Sequence, residues 1–152
     1  MNLAKDMEVK QMSDKKTIEV SAAVIVKDGY ILAAQKGYGE FKGKWEFPGG
    51  KVKDGEDYKD TVIREIKEEL NADINVDDFL TTIHYEYPEF NLIMHTFLCS
   101  LKSDIHFTYH NERELEHDNL VWLETVDLDH IDWLPADIEI VNAFKSMNRR
   151  RV

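Results

Sequence analysis

The segment from Gly49 to Asn71 constrains this chain more than any other part of it. A Gly49-Gly50 pair follows the short apolar stretch Trp45-Glu46-Phe47-Pro48, and a polar turn around Asp54-Gly55 then runs into a helical pattern. At about 100° per residue, Val62, Ile63, Ile66 and Leu70 form one apolar stripe. Glu65, Glu68 and Glu69 stand at i, i+3 and i+4, so their carboxylates crowd one neighbouring face and repel each other. A cation would offset that repulsion. Hard divalent ions such as Mg²⁺ take oxygen ligands and are held by a few carboxylates together with substrate phosphates. Three glutamates alone would favour a plain solvated acidic face, so the residues around them have to decide.

Gly50 is followed after five residues by Glu56, and after seven more by Arg64-Glu65-Ile66-Lys67-Glu68-Glu69. That spacing resembles the Nudix box. Asn71 and Ala72 stand where the box ends in glycine and a larger aliphatic residue. The first departure is mild, because Asn tolerates the left-handed conformation that ends helices. The resemblance runs over roughly Ile18 to Met147 and is nearest to MutT-like nucleoside triphosphate pyrophosphohydrolases. It rests also on Trp45-Glu46-Phe47-Pro48-Gly49-Gly50-Lys51, on Glu116-His117 ahead of Trp122, and on Leu134-Pro135-Ala136-Asp137-Ile138. The last two resemble most the branch acting on CTP and modified deoxycytidine triphosphates.

The resemblance implies an α/β fold, an α/β/α sandwich around a mixed sheet, and hydrolysis of nucleoside triphosphates to monophosphate and pyrophosphate. It implies Mg²⁺, with Mn²⁺ as a substitute, held by the Gly49 carbonyl, Glu65, Glu68, Glu69 and Glu116. Arg64 and Glu56 would support the helix and orient Glu65. Glu65 would be the general base, with Glu116 the alternative. Lys36 and Lys51 would touch phosphates, Asp137 would face the base, and Phe47 is a candidate for lining the base pocket. Asp137 has a second role open to it, capping the last helix. If ionised it only accepts hydrogen bonds, which suits the exocyclic amine of cytosine better than the O6 of 8-oxoguanine. Rival activities are 8-oxo-dGTP hydrolysis, cleavage of ADP-ribose or another nucleoside diphosphate sugar, and nucleotide binding without catalysis.

At 152 residues the chain is sized for one domain. Residues 1–16 are polar, carry three methionines and read as a flexible N-terminal extension to a Nudix domain at 17–152. A net charge of −11 argues against a nucleic-acid polymer as partner and favours a small nucleotide bridged by cations. No apolar run reaches the length of a membrane span, and the single Cys99 fits a buried thiol in a reducing cytoplasm, as monomer or homodimer. Strands are expected over 18–26, 30–35, 72–87, 92–101, 105–109 and 120–123. Residues 36–44 should form a mobile loop at the mouth of the site and 111–119 a second loop. A last helix should start at Pro135, with Ile138, Val141 and Phe144 on the core. Of the six histidines, only His117 is expected near the site.

Overall fold

The fold is known from a computed structural model, which describes residues 15–105 and 117–150. Its axis is β1 (Lys16–Lys27), whose alternation serves two cores at once. Ala22 and Val24 point into one apolar cluster, Ala23 and Ile25 into the other. A strand buried on both faces needs partners on both edges, and β1 has them. It runs parallel to β6 (Phe90–Leu101), antiparallel to β4 (Gly49–Lys51), and at its end antiparallel to β2 (Tyr30–Lys36). Asp28 and Gly29 join β1 to β2 with φ of 52° and 83°, the pair of positive values that a tight hairpin turn requires. β3 (Trp45–Glu46) and β7 (His117–Leu123) pair with β2, and β5 (Ile74–Glu86) closes the other edge against β6. The sheet is therefore mixed.

Helix α1 (Tyr58–Leu70) covers one face and α2 (Pro135–Arg150) the other. Asp57 caps α1 by accepting from the Lys59 N–H at 2.8 Å. Asn71 ends it in the left-handed region at φ 48°, as its place in the box leads one to expect. Val62, Ile66 and Leu70 are fully buried, each contributing about 1.5–3 kcal/mol relative to exposure. Ile63 is not part of that stripe and is 41% exposed. Taking Val62 as the centre, the buried arc swings toward Thr61, which puts Glu69 at about −20° and Glu65 at about −60°, and leaves Ile63 outside at about +100°. The two glutamates thus stand over the sheet rather than beside the apolar face.

On α2 the same geometry corrects a second expectation. Val141 and Phe144 are buried, but Ile138 is 48% exposed and Ile140 takes its place. Ala136, Ile140, Phe144 and Val141 define the inward face at about 0°, 40°, 80° and 140°, and Asp137 falls between the last two at about 100°. The strand at β7 starts at His117, so 117–119 are not loop; Asn119 there donates to the Gln35 side chain at 2.6 Å. Of the strand expected at 105–109, all but Ile105 lies outside the described residues, as do 111–116. β6 starts two residues earlier than expected, and its turn from β5 is tightened by Tyr87 N–H to Phe90 O at 2.9 Å. Cys99 is buried, which pushes its thiol up to about 12.

Candidate active site

The strand β4 brings Gly49 and Gly50 beneath α1, and the absence of side chains there is a packing requirement. A Cβ on Gly50 would overlap the Glu65 carboxyl group, and one on Gly49 would overlap the main chain of Ser21 and Ala22 in β1. Above them Arg64 forms a fork. Its Nε and Nη2 donate to the two oxygens of Glu56 at 2.8 and 2.9 Å, and Nη1 donates to Glu65 Oε1 at 2.8 Å and Glu68 Oε2 at 3.2 Å. Nη2 also reaches the Lys51 carbonyl at 3.0 Å. Thr61 Oγ1 donates to Glu56 at 2.7 Å. The Arg64 guanidinium first, and the Thr61 hydroxyl after it, hold the Glu56 carboxyl down to about 2, while Glu56 raises Arg64 above its already high value.

Glu65 and the buried carboxylate oxygens of Glu69 lie on the inner side of the helix, and Glu68 lies on its exposed side. Among the described residues, no three His, Cys, Asp or Glu side chains converge on one point as they would around a bound metal ion. Arg64 accounts for part of this, because it draws Glu65 and Glu68 to its own nitrogens. The donor set, carboxylates beside the glycine main chain, is all oxygen and fits a hard divalent cation in chemistry. Glu116 lies outside the described residues.

Next to this ledge a cavity of about 180 Å³ opens on the α2 side of the sheet. Its apolar wall includes Phe41, Tyr87, Phe90 and Leu134, and Gly49 and Gly50 border it. Its basic and acidic side chains are Lys36, Glu46 and Asp137. Of the expected substrate contacts, Lys36, Phe47 and Asp137 come together here. Lys51 is exposed on β4 and is not among the lining residues. The 36–44 loop does reach the cavity mouth through Lys36 and Phe41, and it is closed by Lys36 N–H to Lys44 O and Gly43 N–H to Lys36 O, both at 2.8 Å. Phe47 is buried and stacked on Trp133 with ring centres 4.6 Å apart, so much of its side chain serves packing.

Asp137 does not act as a side-chain cap for α2. Its Oδ2 accepts from the Phe47 N–H at 2.9 Å, and the Ala136 N–H at the helix start is served by Tyr87 Oη at 3.2 Å. Burial, and after it the neighbouring Glu46, pushes the Asp137 carboxyl well above the usual carboxylate range. The acceptor-only role expected from sequence is therefore undercut, since the neutral acid also donates. A raised folded-state pKa stabilises only below the ordinary carboxylate value near about 4, and that contribution is lost as pH rises toward the folded value. Asp137→Asn keeps an acceptor for Phe47 and removes the linkage. The stability gap in favour of the variant should widen between acid and neutral pH in urea unfolding, and equal pH slopes would contradict it.

Several of these residues escape sequence reasoning. Glu46 alternates with buried neighbours in a two-residue strand, and only pairing with β2 turns it to the cavity. His95, not among the residues expected near the site, sits beneath the first residue of α1.

A model of the NUDIX domain matches residues 15–144. The CTP pyrophosphohydrolase of Escherichia coli K12 is 33% identical over 137 residues, covering 90% of this chain and 97% of that protein. The 8-oxo-dGTP diphosphatase of Proteus vulgaris is 34% identical over 59% of this chain and 81% of its own. Among solved structures, the E. coli ORF135 protein superposes with a TM-score of 0.73 at 32% identity, covering 91% of this chain and 96% of its own. The MutT protein of Methanosarcina mazei Go1 does so at 0.74 and 25%, covering 91% and 97%. With the box residues gathered under one helix and the family model spanning nearly the whole described chain, this protein belongs to the Nudix family and is a hydrolase.

Proposed function

We propose that the protein hydrolyses nucleoside triphosphates to monophosphate and pyrophosphate, with cytosine nucleotides, including 5-substituted ones, as preferred substrates. The observation that carries this reading is the apolar cavity with two carboxylates, Glu46 and Asp137, opening beside the Gly49-Gly50 ledge under Glu65. A base would enter the cavity, and its triphosphate would extend past Lys36 toward α1. The coverage of the CTP pyrophosphohydrolase, almost end to end, supports the same choice.

A divalent cation, Mg²⁺ or Mn²⁺, bound by the Gly49 carbonyl, Glu65, Glu68 and Glu69, with Glu116 as a further candidate ligand, would supply positive charge against the phosphates and acidify water. The chain's own residues do the rest. Arg64, locked on Glu56, orients Glu65, which takes the proton of the water attacking the β-phosphorus. Lys36 neutralises phosphate at the cavity mouth. Phe41, Tyr87 and Phe90 keep water off the base, the Tyr87 ring centre lying 5.5 Å from that of Phe41 and 5.0 Å from that of Phe90. The N-terminal extension expected over 1–16 would stop short of Lys16, which pairs with Phe90 at the start of β1. Among the described residues no helix is long and apolar enough to cross a membrane.

With its carboxyl held above the usual range, Asp137 in its protonated form would donate to cytosine N3 while Glu46 accepts from the exocyclic amine. The same donor and acceptor also suit 8-oxoguanine, with its O6 acceptor and N7–H donor, and this favours 8-oxo-dGTP hydrolysis as the second reading. The two are separated by kcat/KM for 5-methyl-dCTP and 8-oxo-dGTP, with ADP-ribose as a third substrate. Wild type should prefer 5-methyl-dCTP, and Glu46→Gln should lower kcat/KM for both bases by about 1–3 kcal/mol, because each would donate to that carboxylate. A wild-type preference for 8-oxo-dGTP would install the second reading, and faster turnover of ADP-ribose would remove both.

A further inference from the structure

His95 occupies the middle of β6 and points into the layer between the sheet and α1, where Phe97 and Cys99 are its apolar neighbours. A polar ring in that layer calls for partners, and both nitrogens have one. Nδ1 lies 3.1 Å from Thr82 Oγ1 on β5, and Nε2 lies 2.8 Å from Glu19 Oε2 on β1. The Thr82 hydroxyl can donate or accept, so the ring keeps both contacts whether neutral or charged. Its plane is thus fixed by two strands. On that plane lies the Tyr58 ring, parallel to within 12° and 3.6 Å away between centres. Glu19 raises the Tyr58 hydroxyl above its ordinary value, and His95 is the first cause that holds the Glu19 carboxyl below its own.

Tyr58 is the first residue of α1, two positions after Glu56. The connection from β4 to α1 is largely exposed, and its tie to the sheet is Val52 N–H to Glu19 O at 3.0 Å. Glu19 therefore acts at two places, by its main chain on the connection at Val52 and by its side chain on the His95 ring that lies under Tyr58. The apolar anchors Val62, Ile66 and Leu70 hold the rest. Paired residues also run across four strands in one row, Gly50, Ser21, His95 and Thr82, from the glycine under Glu65 to the far edge.

We propose that His95 is a positioning residue for the reaction: with Glu19 it seats Tyr58, and so fixes the first turns of α1 and the height of the Glu56–Arg64–Glu65 fork over β4. Tyr58 precedes Glu65 by seven residues, about 10 Å of helix. A small tilt at the seat becomes a shift of the fork, and displacements of about 1 Å can cost 10²-fold in rate. This rests on the assignment of α1 as the catalytic helix.

The test uses the full chain. His95→Phe keeps a ring under Tyr58 but loses Glu19 and Thr82, and Tyr58→Leu loses the stack; Tyr58 is 40% exposed, so this variant folds. Steady-state kinetics with Mg²⁺ and the preferred nucleotide are read beside the NMR signal of Arg64 Nε–H, which reports its pairing with Glu56. Both variants should lower kcat about tenfold with KM changed less than about twofold, and both should shift the Arg64 signal. Phe144→Leu, a core change in α2, should lower the melting temperature with kcat and the Arg64 signal as in wild type. Unchanged kcat and Arg64 signal in Tyr58→Leu would overturn the proposal even if the melting temperature fell. Should Glu65→Gln turn over like wild type, the assignment of α1 is what fails, and the Arg64 signal still decides whether His95 positions the fork.

Discussion

Glu69→Gln and Glu65→Gln should each lower kcat by roughly 10²-fold or more while the fold is kept. Gln conserves shape and removes charge. Glu69 stands within the buried arc of α1, and Glu65 stands over Gly50, so both face the place where phosphate and cation would meet. Glu69→Gln should leave the apo protein no less stable, because it removes one of three crowded carboxylates, whereas Glu65→Gln also gives up its charged pair with Arg64. Wild type should gain melting temperature as Mg²⁺ or Mn²⁺ is added and lose all turnover in chelator. In Glu69→Gln that gain should shrink. Wild-type turnover in both variants, or a chelator without effect, would refute the assignment.

Two neighbouring glycines should fail in opposite ways. In Gly50→Ala the new methyl meets the end of a flexible side chain, so Glu65 swings aside and the backbone stays. Activity should fall by about 10²-fold with a melting temperature near that of wild type. In Gly49→Ala the methyl meets the main chain of β1, which cannot move without breaking the pairing of β1 with β4. That variant should lose about 1–3 kcal/mol of stability, the usual scale of overpacking. Kinetics and urea unfolding on the same two proteins check the contrast. Equal losses of stability would show that Gly50 serves packing rather than Glu65.

The box was legible because its information lies in residue type at fixed spacing along one helix. Gly50, Glu56, Arg64 and Glu65 are brought together in the structure by local geometry and by one strand pairing. The sandwich followed from the alternation of helical and strand patterns. What stayed hidden depends on contacts between distant segments. Ile63 and Ile138 look like core residues by period, yet each lies just past the edge of an arc set by how its helix sits. Asp137 could not be known as buried, with its carboxyl pushed above the usual range by that burial and by Glu46, until the segments around it were seen together. Tyr87 gave no sign that its hydroxyl would take the place of a helix cap, since Ala136 lies 49 residues away. His95 met Glu19 across a separation of 76 residues, and no spacing rule reaches so far.

The central claim is cleavage of a nucleoside triphosphate by attack of water at the β-phosphorus, assisted by α1 and the glycine ledge. It is tested most directly by running the reaction on 5-methyl-dCTP in heavy-oxygen water with Mg²⁺ and weighing both products. The account predicts nucleoside monophosphate and pyrophosphate in equal amounts, with the heavy oxygen in pyrophosphate and none in the monophosphate. Heavy oxygen in the monophosphate, or release of nucleoside diphosphate and phosphate, would contradict it.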